Sequence, residues 1–177
     1  DMLGHSMGGN LAIYISNKTP NILNKIVIVD IVPKKYKNVH QDILSGLKSI
    51  DFNLIGSRRE ADDKLSSYIS DERVRHFLLK NLYWKSDHKL GFRCNLDVLY
   101  DYSKNSITNK FENPISFKGP ALFLHGKSSN YVNEKDYELI NYHYSNASII
   151  KVPNSGHWLH VDNPDFFLEK TINFLNS

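Results

Sequence analysis

The sequence predicts an α/β fold: a parallel sheet flanked by helices and interrupted by a mostly helical insertion. Three observations carry this reading. A glycine-rich turn, Gly4-His5-Ser6-Met7-Gly8-Gly9, follows the apolar step Met2-Leu3 and leads into a helix-like stretch. The β-branched run at 25–32, KIVIVDIV, has the unbroken apolar character of a parallel strand covered on both faces. From residue 113 onward strands and helices alternate again, which implies parallel pairing through crossover connections.

The elements follow in order. Met2-Leu3 closes a first strand, and the turn after it places Ser6 between strand and helix. Such a turn is sharp, so its flanks are expected to be side-chain-free, as Gly4 and Gly8 are. Gly9 lets the next helix pack closely. That helix starts with Asn10-Leu11-Ala12-Ile13-Tyr14-Ile15, apolar on more than one face, as a buried helix is. The second strand, 25–32, is stopped by Pro33.

Residues 36–112 change character. Ile43, Leu44, Leu47 and Ile50 are spaced along one helix face; Ala61, Leu65 and Tyr68 mark a second helix; Val74, Phe77, Leu78 and Leu82 mark a third. A hairpin is expected from Tyr83-Trp84 to Phe92, turning near Asp87-His88, and Leu96, Leu99 and Tyr100 suggest one more helix. This block is read as an insertion in a domain formed by 1–35 and 113–177. In the second part of that domain, Pro120 to Gly126 is a buried strand, 133–144 a helix, 147–152 a final strand, and 164–175 an amphipathic helix.

The chain has 177 residues, 41% hydrophobic and 23% charged, with a formal charge of +3. That balance is ordinary for a globular chain. The basic residues are scattered, Lys34-Lys35 and Arg58-Arg59 being only pairs, so nucleic acid is not an expected partner. Cys94 is the one cysteine, which excludes an intrachain disulfide and a thiolate metal site and fits a reducing, cytoplasmic compartment. No apolar run reaches membrane-spanning length, and no signal peptide is visible. A first residue of Asp1, already inside a strand, reads as a fragment whose earlier strands are missing upstream.

Gly4-His5-Ser6-Met7-Gly8 is a G-x-S-x-G turn, which raises a serine hydroxyl above the sheet edge. Such a serine needs a base, since its hydroxyl is barely ionised at neutral pH. The best base is His157, in Asn154-Ser155-Gly156-His157-Trp158 after the last strand, with His125 as its main rival. His5 is expected to pack beneath the turn and His160 on the turn after His157; His40, His76 and His88 fall in the insertion. The backbone N–H of Met7 is expected to be one oxyanion donor, and the second to come from upstream of Asp1. No histidine pair has metal-ligand spacing with a carboxylate, so no metal is expected.

Together Gly4-His5-Ser6-Met7-Gly8-Gly9, Val29-Asp30-Ile31-Val32-Pro33, Ser128-Ser129-Asn130-Tyr131-Val132 and Gly156-His157-Trp158-Leu159-His160 resemble the α/β-hydrolase superfamily. More narrowly, they are similar to YbfF-type esterases and ABHD-type hydrolases, over essentially the whole chain. The resemblance implies a helical cap at 36–112, hydrolysis of a small-molecule carboxylic ester or acyl thioester, and no cofactor. It also sets off a departure. The superfamily's acid follows the penultimate strand as His-Gly-x-x-Asp, but here His125-Gly126-Lys127-Ser128-Ser129 puts Ser129 at that position. Asp30, at the end of the neighbouring strand, is the expected carboxylate, with Ser129 adding a hydrogen bond. Asp136, Glu134 and Asp162 are weaker candidates, expected at exposed helix starts. Tyr83, Trp84, Phe92, Tyr131 and Trp158 are candidate pocket walls. Two other activities fit the same residues: a C–C hydrolase or acyltransferase, and a non-catalytic binding or interaction protein.

Overall fold

The apolar run at 25–32 forms a short central strand, β2 (Ile26–Val29), with all of its side chains buried. The computed structural model describes residues 1–36, 41–87, 89–104 and 113–177. β2 lies between β1 (Met2–His5) and β5 (Ala121–Gly126), with β6 (Ala147–Val152) outside β5, and each neighbouring pair is parallel. These strands belong to a unit of Asp1–Lys35 with Asn109–Ser177; Tyr36–Thr108 forms another.

The helices of the first unit are α1 (Met7–Lys18), α6 (Tyr137–His143), α7 (Leu159–Asp162) and α8 (Pro164–Asn176). Strand side chains alternate between faces, so β2 divides its residues. Ile28 lies against α1 at Gly9. Val27 and Val29 join Leu122 and Leu124 in a cluster completed by Phe166, Phe167 and Phe174 of α8. Burying each of these aliphatic side chains is worth about 1.5–3 kcal/mol. A strand covered on both faces has no polar alternation, which is why 25–32 reads as one apolar run.

The strand nevertheless stops at Val29. Asp30 turns left-handed with φ 53°, while its N–H still donates to the Leu124 carbonyl at 2.8 Å. Ile31 and Val32 stay buried, so their apolar character reflects the core and not the ladder. Two other boundaries move. α1 begins at Met7, ahead of the apolar pattern at Asn10, and 133–144 divides into a 3₁₀ turn at Glu134–Asp136 and α6.

The second unit holds α2 (Gln41–Lys48), α3 (Arg58–Ser66), α4 (Glu72–Leu79), the antiparallel pair β3 (Leu82–Ser86) and β4 (Lys89–Phe92), and α5 (Leu96–Lys104). Ser57 and Asp71 cap α3 and α4 by accepting from the Glu60 and Arg73 amides. Leu82, grouped by its spacing with the third helix, opens β3 instead, because α4 ends at Leu79. Leu47, Ile50, Ala61, Leu65, Ile69, Leu79 and Leu82 form the core, with Phe52 and Phe92 against it. His40 and His88 lie outside the described residues. Among the described residues, no helix is long and apolar enough to cross a membrane.

The turn at Ser6 needs Gly4 and Gly9 as expected, but not Gly8. A Cβ on Gly4 would stand 2.3 Å from the Gly8 carbonyl oxygen, and one on Gly9 would stand 2.4 Å from Ile31 Cγ2; at Gly8 nothing lies within 4 Å. Gly4 and Gly9 carry the steric requirement. Gly9→Ala is expected to cost about 1–3 kcal/mol by overpacking. Gly8→Ala is expected to be neutral or slightly stabilising, since alanine suits a helix better than glycine. Urea denaturation of the two variants checks the contrast.

Candidate active site

The sheet ladder itself brings Ser6 and Asp30 together. Ser6 follows β1 directly and donates its N–H to the Val29 carbonyl at 3.0 Å, while Asp30, one residue on, bonds back to β5. Ser6 and Asp30 therefore sit one step past the ends of adjacent parallel strands, where ligand crevices open in α/β sheets. Among the described residues, the non-glycine positions with left-handed backbone are Ser6 (φ 54°), Asp30 (φ 53°) and Asn154 (φ 53°). Each follows a different strand, β1, β2 or β6, at the same sheet end. Conformations of this kind cost roughly 1–3 kcal/mol and persist only where surroundings enforce them.

The loop after β6 delivers His157 to both partners. Its Nε2 lies 3.0 Å from Ser6 Oγ and its Nδ1 2.7 Å from Asp30 Oδ2. An ionised carboxylate only accepts, so Nδ1 carries the proton and Nε2 presents its lone pair to the serine hydroxyl. Ser6 Oγ makes no capping bond to α1, which leaves it directed at the imidazole. The Asp30 side chain is wholly buried and that of His157 is 24% exposed. A buried carboxylate requires donors. Asp30 has three: His157 Nδ1, the Gly126 N–H at 3.1 Å, and the Ser129 hydroxyl.

Ser129 thus reaches the carboxylate and not the imidazole, and its oxygen in turn accepts the Tyr131 N–H at 3.1 Å. Tyr131 lies face to face with His157, ring centroids 3.9 Å apart and planes 16° apart. Burial pushes the Tyr131 phenol up from its ordinary value. Met7 is the first residue of α1, so its N–H is one that the helix cannot satisfy internally. Trp158 is half-buried immediately before α7. Tyr83, Trp84 and Phe92 belong to the other unit: Tyr83 faces the Arg93 guanidinium, Trp84 is exposed, and Phe92 packs edge-to-face on Phe52.

The rival candidates are engaged elsewhere. His125 is buried with its Nε2 bonded to the Tyr137 hydroxyl at 2.7 Å. Asp136 is not on an exposed helix start. It is buried, pairs with Lys34 at 2.7 Å and accepts the Asn133 N–H. Glu134 is exposed and pairs with Lys151, which holds its carboxyl below the ordinary value through a hydrogen bond. Asp162 ends α7 and accepts the Gly156 N–H at 2.9 Å.

Two contributions have only faint sequence signals. The Gly126 amide serves Asp30 because β5 and the His157 loop meet closely: a Cβ on Gly126 would lie 2.1 Å from the Gly156 carbonyl oxygen. The His125-Gly126 and Gly156-His157 dipeptides are the trace of that approach. His5 donates from Nε2 to the His157 carbonyl at 2.8 Å, a pairing that no spacing reveals.

No family model matches the chain. Among curated proteins, it is 34% identical over 181 residues to the zebrafish (Danio rerio) sn-1-specific diacylglycerol lipase ABHD11, covering 98% of the chain and 56% of that protein. It is 27% identical to esterase YbfF of Escherichia coli, covering 98% of the chain and 66% of the relative. The chain spans little more than half the length of the zebrafish protein. A solved structure described as a marine microorganism esterase matches with a TM-score of 0.88 and 35% identity, covering 97% of this chain and 68% of that one. The chain belongs to the α/β-hydrolase superfamily. Within this α/β-hydrolase chain, the curated likenesses are to the YbfF and ABHD type.

Burial disfavours the charged form of several histidines of this α/β-hydrolase. His5, His125 and His143 are all held below the ordinary imidazole value of 6.5, in each case chiefly by desolvation. Below 6.5 the unfolded chain binds protons that the folded chain still refuses, so stability falls as pH drops from 6.5 toward the depressed values. Thermal unfolding is expected at lower temperature near about pH 5.5 than near about pH 7.5. His125→Gln is expected to flatten that dependence, as read by calorimetry at both pH values.

Proposed function

We propose that the chain carries the catalytic apparatus of a serine esterase. The observation that carries this is the continuous relay from Ser6 Oγ through His157 to the buried Asp30, at 3.0 and 2.7 Å. Ser6 Oγ attacks the substrate carbonyl carbon as its proton passes to His157 Nε2. Asp30 holds the Nδ1 tautomer and balances the imidazolium. The Met7 N–H stabilises the oxyanion. Collapse expels an alcohol or thiol that takes the proton from His157, leaving an acyl group on Ser6. Water, deprotonated by the same imidazole, then releases the acid. No step calls for a metal or cofactor.

The substrate class proposed is a small-molecule carboxylic ester or acyl thioester. Ester cleavage is supported by the names of the relatives, an esterase and a diacylglycerol lipase. Tyr131 and Trp158 are proposed to border the acyl site. Residues 36–112 are proposed as a cap that tunes acyl preference, with Tyr83, Trp84 and Phe92 as its candidate contacts. The lone Cys94 supports a reducing, cytoplasmic setting.

In the full-length protein, Ser6→Ala is expected to lower kcat on p-nitrophenyl esters by about 10⁴-fold or more and to abolish fluorophosphonate labelling. Unchanged turnover would sink the reading, and an unlabelled native protein would favour a binding role on the same fold. The acids separate by rank. Asp30→Asn is expected to cost about 10²–10⁴-fold in kcat through loss of the correct tautomer. Ser129→Ala removes one donor to an already bonded carboxylate and is expected to cost about 10-fold, on the scale of 1.4 kcal/mol per decade. The reverse order would reassign the acid role.

A further inference from the structure

We infer that His5 is a positioning residue, whose Nε2–H bond to the His157 carbonyl fixes the imidazole of His157 against Ser6; this rests on the reading of Ser6, His157 and Asp30 as an acyl-transfer site. A carbonyl oxygen only accepts, so the 2.8 Å contact requires the proton on His5 Nε2. His5 is covalently joined to Ser6 and hydrogen-bonded to His157, while His157 is hydrogen-bonded to Ser6. These links form a closed ring of contacts in which the nucleophile's own neighbour holds the base's backbone. Asp30 fixes only the Nδ1 edge of the imidazole. The loop after β6 carries left-handed Asn154 before the base, and the Gly156 N–H is tied to Asp162. Of the residues around His157, His5 is the one that ties the base's own main chain to the elbow of the nucleophile.

The ring contacts support a specific orientation. The His5 centroid lies 4.7 Å from that of His157 and 4.9 Å from that of His160, the latter edge-on. Burial pushes the His5 imidazole below its ordinary value, which suits a neighbour of an imidazole that becomes cationic during turnover. A phenyl ring would fill the same space without donating. A glutamine would donate without the ring.

The test uses the full-length protein, a fluorophosphonate probe and a p-nitrophenyl ester. Native protein must first label and turn over; failure at that point removes the acyl-transfer reading itself and is distinct from failure at His5. For His5→Phe, the labelling rate and kcat are expected to fall about 10²-fold, the scale of a displacement near 1 Å at a reacting centre. KM is expected to change less than about threefold, because the substrate contacts remain. His5→Gln is expected to recover about tenfold of the loss by restoring a donor. If His5→Phe does not fold, His5→Met against His5→Gln makes the same comparison. Equal losses in donor and non-donor variants, a loss confined to KM, or a loss under about threefold would each overturn the inference.

Discussion

A carboxylate with no access to water determines the arrangement around Ser6. The Asp30 side chain is wholly buried, and an ionised group in that position is tolerable only with its oxygens occupied by donors. Those donors come from three places: the imidazole after β6, the backbone at the end of β5, and the Ser129 hydroxyl. Satisfying Asp30 therefore draws β5 and the β6 loop onto the end of β2. The close approach of Gly126 to Gly156 is the steric side of the same requirement. The His157 imidazole is aligned because the buried carboxylate must be solvated by protein.

The location of Asp30 also bears on the serine in the loop after β5. With the charge at the end of β2, a second carboxylate at position 129 would stand beside the buried Asp30 side chain, where like charges repel. A hydroxyl instead donates to Asp30 and accepts from the Tyr131 amide. Ser129 is thus a polar link between the carboxylate and the loop that carries Tyr131.

Much of this was legible in the residues. Ser6, His157 and the parallel sheet announce themselves through turn chemistry, β-branched runs and chain order, all of which are local signals. Asp30 was legible through its place at the end of the neighbouring strand, once the loop after β5 offered serine at the expected acid position. The strand end at Val29 was not legible, because Ile31 and Val32 are as apolar as the strand and only the backbone torsion of Asp30 separates them. The glycine requirement was misallocated to Gly8 for a related reason. Which glycine is crowded depends on Ile31, a residue distant in sequence that reaches Gly9 through packing. The burial of Asp136 by Lys34 was hidden likewise, since their pairing spans most of the sheet in sequence.

Tyr131 lies flat on His157 at 3.9 Å, and this restricts more than the ring's position. An imidazole covered on one face can slide within its own plane but cannot swing toward the phenol that covers it. In-plane travel keeps Nε2 near the Ser6 hydroxyl, 3.0 Å away. The same stacking places the His157 ring protons in the shielding cone of an aromatic ring. Among the described residues, His157 is the histidine stacked face to face on a tyrosine, so its ring protons carry an upfield shift set by Tyr131.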